Sequence, residues 1–385
     1  MQLAVPSNSG CDILFLAGEH SGDQHAARLA TDLWAADPSL NMAAIGGQAL
    51  ERAGVQLLHD LTENSVVGLV EVLKNYGYFR ELFESTLNWI KQHRPKVLVL
   101  VDYPGFNLRL AKALADRGIS RKGGGTVAVY QYISPQIWAW KAGRRFKMAK
   151  VLDEVGAIFP FEPDCYADTD LPVQFVGHPF ADPRHQLPVS YDPDAGLLLL
   201  PGSRKQAVSR IFPLMLEAWK ALPADDPLKQ ATVLYPSSPI LDLLKQLLVQ
   251  SGIEEGSIQL VPAETPTTAR AVLTSSGTMS LICAMAALPG AIVYRAHPIT
   301  YWIGRRLVRI PYLGMANLIL DATMYPEYLQ SAAHPAALVK ALHTAREPTT
   351  IARTQKQSTQ LAETLRAERG STAVDRISSY LIPTK

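Results

Sequence analysis

The sequence predicts a doubly wound α/β protein of two domains, and three observations lead there. Short runs of β-branched and apolar residues alternate with longer stretches of helical period along most of the chain. The runs are nearly continuous in apolar residues, as strands are when helices cover both faces of a parallel sheet. The chain has 385 residues, 48% of them hydrophobic, enough for two cores of ordinary size.

The strand-like runs fall at 12–17, 97–101, 127–132, 155–159, 197–200, 232–235 and 291–294, bounded by Gly, Pro or Asp. Between the fourth and fifth, Pro179, Pro183, Pro188 and Pro193 interrupt any regular element. The domain break is therefore placed near Val189, giving an N-terminal domain of residues 1–188 and a C-terminal domain of residues 189–350. Residues 351–385 are polar with helical spacing of Leu361, Leu365, Val374 and Ile377, and read as a C-terminal helical tail that caps a domain.

Composition excludes several classes. Lys plus Arg total 37 against 35 Asp plus Glu, a net charge of +2, so no nucleic-acid partner is expected. Cys11, Cys165 and Cys283 are far apart without metal-ligand spacing, which fits a reducing compartment and neither a disulfide framework nor a zinc site. The N-terminus lacks a basic leader region, and no segment is long and apolar enough to cross a bilayer, so a soluble or peripheral protein is expected. The histidines show neither HxH nor HExxH spacing. Asp168-Thr169-Asp170 sits in a polar loop and reads as a turn rather than a metal-holding carboxylate pair. No metal and no cofactor are expected.

Two segments have the strand, glycine turn and helix form that suits anion binding, because a helix N-terminus offers unpaired N–H groups and partial positive charge. The first is Ala17-Gly18-Glu19-His20-Ser21-Gly22-Asp23, opening a helix at about Gln24. The second is Leu200-Pro201-Gly202-Ser203-Arg204. A third turn, Ser276-Gly277-Thr278, also closes an apolar stretch and enters a helix. Three such turns over two similar halves favour a nucleotide in the cleft.

Asp102 follows the apolar run at 97–101, at the strand end where open α/β sheets bind ligands. It either accepts a proton from an attacking hydroxyl or caps the next helix. Two aromatic–basic clusters suit a membrane interface or, alternatively, form ordinary solvated faces. One joins Trp138 and Trp140 to Lys141, Arg144, Arg145, Lys147 and Lys150. The other, if helical, puts Trp302, Arg305, Arg306 and Arg309 on one face beside Ile299, Ile303, Leu307 and Ile310.

In order along nearly the whole chain, these motifs resemble those of the lipid-A-disaccharide synthase family. The resemblance is carried by Ala17 to Asp23, Ile45-Gly46-Gly47, Val67-Gly68-Leu69-Val70-Glu71-Val72-Leu73 and Asp102-Tyr103-Pro104-Gly105-Phe106-Asn107. It continues in Tyr132-Ile133-Ser134-Pro135-Gln136-Ile137-Trp138-Ala139-Trp140, Phe159-Pro160-Phe161-Glu162, Val176-Gly177-His178-Pro179, Leu200 to Arg204, Ser276 to Thr278, Asn317-Leu318 and Pro326-Glu327-Tyr328-Leu329-Gln330.

The resemblance implies the GT-B fold, two Rossmann-like domains facing an interdomain cleft, and metal-independent transfer, with inversion, of diacylated glucosamine from UDP to the 6-hydroxyl of diacylated glucosamine 1-phosphate. It implies Asp102 as general base and Glu19 as a second polar group beside the reacting sugars. Gly18, Ser21, Gly22, Asp23, Ser134 and Trp138 would bind substrate, with the 132–140 segment on the acceptor side. Ser203, Arg204, Ser276, Gly277 and Thr278 would hold the diphosphate, and Asn317, Glu327 and Gln330 would complete the donor site. Acylated substrates imply a peripheral position on the inner face of a bacterial inner membrane.

The chain departs from the family pattern at Gly105, Ala207 and Ile282, where the family usually carries carboxylates. An isoleucine cannot accept a hydrogen bond from a ribose hydroxyl. The alternatives are therefore a family member that binds nucleotide or acylated sugar with impaired turnover, or another GT-B enzyme with a different lipid acceptor or UDP-N-acetylglucosamine epimerase activity.

Overall fold

The computed structural model describes the chain except for Gln2, Asn8, Ser9, residues 63–75, His185, residues 298–300 and 302–310, Arg369 and residues 383–385. It divides into two units. Unit 1 comprises Met1–Pro179 together with Ala367–Lys385, and unit 2 comprises Phe180–Arg366.

The strands of unit 1 are β1 (Ile13–Ala17), β2 (Met42–Gly46), β3 (Gln56–Asp60), β4 (Val97–Val101), β5 (Ala128–Tyr132), β6 (Glu154–Ala157) and β7 (Val173–Phe175). They form one sheet in the order β3-β2-β1-β4-β5-β6-β7, every pairing parallel. The central strands are buried along their whole length. Helices supply the cover, as a parallel sheet requires.

Unit 2 has β8 (Val189–Tyr191) and β12 (Thr267–Ala269) as a small parallel pair. Its main sheet joins β9 (Leu197–Leu200), β10 (Ala231–Tyr235), β11 (Ile258–Pro262), β13 (Ala271–Thr274), β14 (Gly290–Tyr294) and β15 (Glu327–Leu329) in the order β11-β10-β9-β13-β14-β15. The helix Lys205–Lys220 shows how the sheet is covered. Val208, Ile211, Phe212, Met215, Leu216 and Trp219 recur at three- and four-residue spacing and are buried together.

The chain's division differs from the one read in the sequence. The break falls at Pro179 and Phe180 rather than at Val189, so residues 180–188 go with unit 2. The tail is not one piece either. The helix Pro348–Thr364 stays with unit 2, where Ser358 donates to the carbonyl of Met285 at 2.8 Å. The helix Ala373–Leu381 belongs to unit 1. A capping box starts it, with Asp375 N–H donating to the Thr372 hydroxyl and Thr372 N–H to the Asp375 carboxylate. Ile377 is fully buried, worth about 1.5–3 kcal/mol. Arg376, next to it, and Tyr380, about one turn on, reach Glu154 on β6. Arg376 donates to both carboxylate oxygens at 2.6 and 3.0 Å, and the Tyr380 hydroxyl donates at 2.9 Å.

Among the described residues no helix is long and apolar enough to cross a membrane.

Candidate active site

In unit 1 the chain winds from β1 toward one sheet edge through β2 and β3 and toward the other through β4 to β7, so the topological switch point lies between β1 and β4. Open α/β sheets bind ligands outside the carboxyl ends of their strands at such a point. Ala17 pairs with Val101, and Val101 with Tyr132. Gly18, Asp102 and Ile133 therefore leave the sheet side by side.

Asp102, Tyr103 and Ile133 all adopt left-handed backbone, with φ of 43°, 44° and 69°. Each costs about 1–2 kcal/mol in a residue other than glycine, and such strain collects at functional sites. Two fully buried amides serve these turns. Asn107 donates to the carbonyls of Asp102 at 2.7 Å and Val101 at 3.4 Å. Gln131 donates to Ile133 at 3.1 Å and to Asp102 and Tyr132 at 3.4 Å.

Burial, and after it the charge of Glu19, raises the Asp102 carboxyl to about 6 against the opposing hydrogen bond from Tyr103 N–H. Glu19 is the N-cap of the helix His20–Ala36, yet its carboxylate makes no capping bond and stays exposed. No side chain caps the helix Pro104–Asp116, whose N-cap is Tyr103, so the helix-cap reading of Asp102 falls away. The Tyr103 ring lies over Gly18, where a β-carbon would collide with it, and packs on Phe106 with centroids 6.2 Å apart.

The first helix begins at His20, four residues before the expected Gln24, so Ser21, Gly22 and Asp23 lie in its first turn. Ser21 is exposed. Asp23 is buried and accepts from the backbone N–H of Gly47 and Ala49, both at 2.8 Å, which braces the next helix. Ser134 is buried against the Tyr166 hydroxyl at 2.8 Å. The Trp138 indole N–H donates to Glu162 at 3.3 Å. Glu162 also accepts from Ile158 and Phe159 N–H, and burial pushes its carboxyl up to about 8 against those bonds. Asp168 forms an ion pair with Arg145, in keeping with a turn.

In unit 2 the switch point lies between β9 and β13, where Leu200 pairs with Thr274. The loops after these strands carry Gly202-Ser203-Arg204 and Ser276-Gly277-Thr278. Gly202 has φ 113° and stands close to Ser275, so that a β-carbon would lie 3.2 Å from the serine hydroxyl. Arg204 is the exposed N-cap of Lys205–Lys220, and its guanidinium has no partner among the described residues. Ser276 is half-buried, Gly277 and Thr278 are exposed, and Thr278 opens the helix Thr278–Met285. Two helix N-termini and one cation thus converge on the switch point, a ready anion site.

Asn317, Glu327 and Gln330 are engaged by the protein itself. Asn317 is fully buried, accepts from Met324 and Tyr325 N–H, and donates to Tyr325 O and to Glu327. Glu327 also accepts from Leu313 and Gly314 N–H. Gln330 exchanges two hydrogen bonds with the backbone of Ala296. They fix the chain at 296 and 313–314. Trp302, Arg305, Arg306 and Arg309 lie outside the described residues, as does the 67–73 motif.

Sequence reasoning passed over Gln131 and gave Glu162, quoted only within the family motif, no role. The signal for Gln131 was a lone amide inside an apolar strand, since a buried polar group needs partners.

A family model described as lipid-A-disaccharide synthetase matches residues 13–379. Lipid-A-disaccharide synthase of Coxiella burnetii is 34% identical over 340 residues, covering 86% of this chain and 87% of that protein. Lipid-A-disaccharide synthase 1 of Legionella pneumophila is 36% identical over 330 residues, 83% of each. Among solved structures, the glycotransferase of kitacinnamycin matches with a TM-score of 0.60 at 13% identity, over 97% of this chain and 100% of that one. That likeness is one of fold, and the fold is GT-B.

Proposed function

Since this chain belongs to the lipid-A-disaccharide synthase family of glycosyltransferases, which act in lipid A biosynthesis, we propose that it joins UDP-2,3-diacylglucosamine to 2,3-diacylglucosamine 1-phosphate. The products are lipid A disaccharide 1-phosphate and UDP, with inversion at the anomeric carbon and no metal.

The observation that carries this reading is Asp102. Its carboxylate stands at the switch point of unit 1, capping no helix and held near 6 by burial and by Glu19. A base poised near the working pH takes the proton of the attacking 6-hydroxyl as the new glycosidic bond forms. In unit 2, Arg204 and the starts of two helices offer positive charge to the departing diphosphate, which supports leaving-group stabilisation without a metal. Gly18, Ser21, Gly22 and Trp138 are assigned to the acceptor side, with Asp23 and Ser134 shaping it from beneath. Ser203, Ser276, Gly277 and Thr278 are assigned to the donor. Asn317, Glu327 and Gln330 support that donor region.

Acylated substrates come from a bilayer, so a peripheral station on the inner face of the inner membrane belongs to the same proposal. The residues assigned to it are Trp302, Arg305, Arg306 and Arg309, with help from Lys141 to Lys150 and the neighbouring Trp140. There Trp140 and Phe146 are exposed, with Lys141 4.2 Å from the centroid of the Trp140 ring and Arg145 4.4 Å from that of Phe146. Aromatic rings flanked by cations suit an anionic headgroup layer.

The deciding experiment supplies purified protein with both acylated sugars and scores disaccharide and UDP. Formation of both supports the proposal. Nucleotide binding without disaccharide would favour a binding module, the reading to which the apolar, buried Ile282 lends weight.

A further inference from the structure

We propose that Gln131, seconded by Asn107, is a positioning residue that sets the Asp102 turn against the start of the 133–140 segment. The inference rests on the reading of Asp102 as the base.

β4 and β5 run in register to Val101 and Tyr132, and beyond that level each chain turns left-handed, at Asp102 and Tyr103 on one side and Ile133 on the other. The last ladder bond is Asp102 N–H to Tyr132 O at 3.2 Å. Past it no ladder bond defines how far apart the two turns stand. The Gln131 amide fills that place, since its one NH₂ group serves Asp102 O, Tyr132 O and Ile133 O. Asn107 grips Asp102 O from the first turn of the following helix.

The direction of both amides follows from their surroundings, because every partner is a carbonyl acceptor and only the NH₂ end can face it. As a result the amide oxygens of both residues are buried with no partner among the described residues. A pair of side chains chosen for local satisfaction alone would not leave two acceptors bare. What the arrangement does provide is a fixed location for the Asp102 backbone, and with it the carboxylate, relative to the segment that carries Ser134 and Trp138.

Asp102 is the catalytic residue here, and Gln131 acts through it. Displacing a reacting group by about 1 Å costs about 100-fold in rate. Gln131→Leu, which removes the donor and keeps the bulk, is expected to lower kcat per folded molecule by about 10- to 100-fold with both KM values and the melting temperature little changed. Asn107→Leu, close in size but without the donor, is read the same way if Gln131→Leu does not fold. Asp102→Asn runs beside them. A near-normal rate for Asp102→Asn sinks the reading of the base itself. An inactive Asp102→Asn together with unchanged kcat per folded molecule in the Gln131 and Asn107 variants overturns the positioning role, and so does failure of both variants to fold, which would make the pair purely structural.

Discussion

Asp102 feels the charge of Glu19, and this interaction, second only to burial, holds the Asp102 carboxyl near 6 rather than at its ordinary 3.8. A base must be ionised to accept a proton, so kcat/KM should rise as pH increases through about 6 and level above it. Glu19→Gln removes the like charge and should move that rise to lower pH. An acid limb that stays in place in Glu19→Gln would show that the two carboxylates do not interact.

Asp102→Asn should cut transfer about 10²–10⁴-fold. It should also stabilise the protein in alkaline solution. The folded carboxyl titrates above the unfolded one, so its favourable contribution is complete below 3.8 and disappears as pH rises through about 6. An amide has no such loss. Thermal melts at pH 4 and pH 8 should show the variant's advantage growing with pH.

Arg204→Ala should lower turnover about 10²–10³-fold, the usual cost of removing one donor to developing charge. Activity should survive chelation by EDTA. Loss of rate in EDTA that magnesium restores would overturn the metal-free mechanism and return Asp168 and Asp170 to consideration.

Replacing Arg305, Arg306 and Arg309 by Ser should weaken binding to anionic vesicles by about 3 kcal/mol at low salt, with less difference as salt rises. UDP binding should not change. Equal co-sedimentation of wild type and triple variant at every salt concentration would place docking elsewhere, with Trp140 and Phe146 next to be tested.

Arg376→Leu should destabilise the protein by about 3 kcal/mol in denaturant, because Glu154 is almost fully buried and would keep only Tyr380. Adding Glu154→Gln should recover part of the loss. A single variant as stable as wild type would show that the pairing of Arg376 with Glu154 adds nothing to stability.

Much of this was legible in the sequence because buried parallel strands are written in apolar residues. The runs at 97–101 and 197–200 were located to the residue. β2, with Ile45 as its only β-branched residue, carried no such signal, and its neighbours decide it. The left-handed turn at Asp102 and Tyr103 was hidden, since neither glycine nor asparagine marks it. Asn317, Glu327 and Gln330 were read as ligand contacts from the family motif, while their hydrogen bonds to distant backbone appear only in three dimensions. The return of Ala373–Leu381 to unit 1 was equally out of reach, because nothing local in a helix says which sheet it will cover.

That return has a consequence for synthesis. Glu154 emerges from the ribosome 222 residues before Arg376. At about 5–20 residues per second, the interval is about 10–45 s. Throughout it the face of unit 1 that carries Glu154 lacks the cover of the helix Ala373–Leu381, and the whole second unit is made in the meantime. Unit 1 is therefore begun first and finished last, and a chain stalled before residue 376 carries an N-terminal half open to proteases and chaperones.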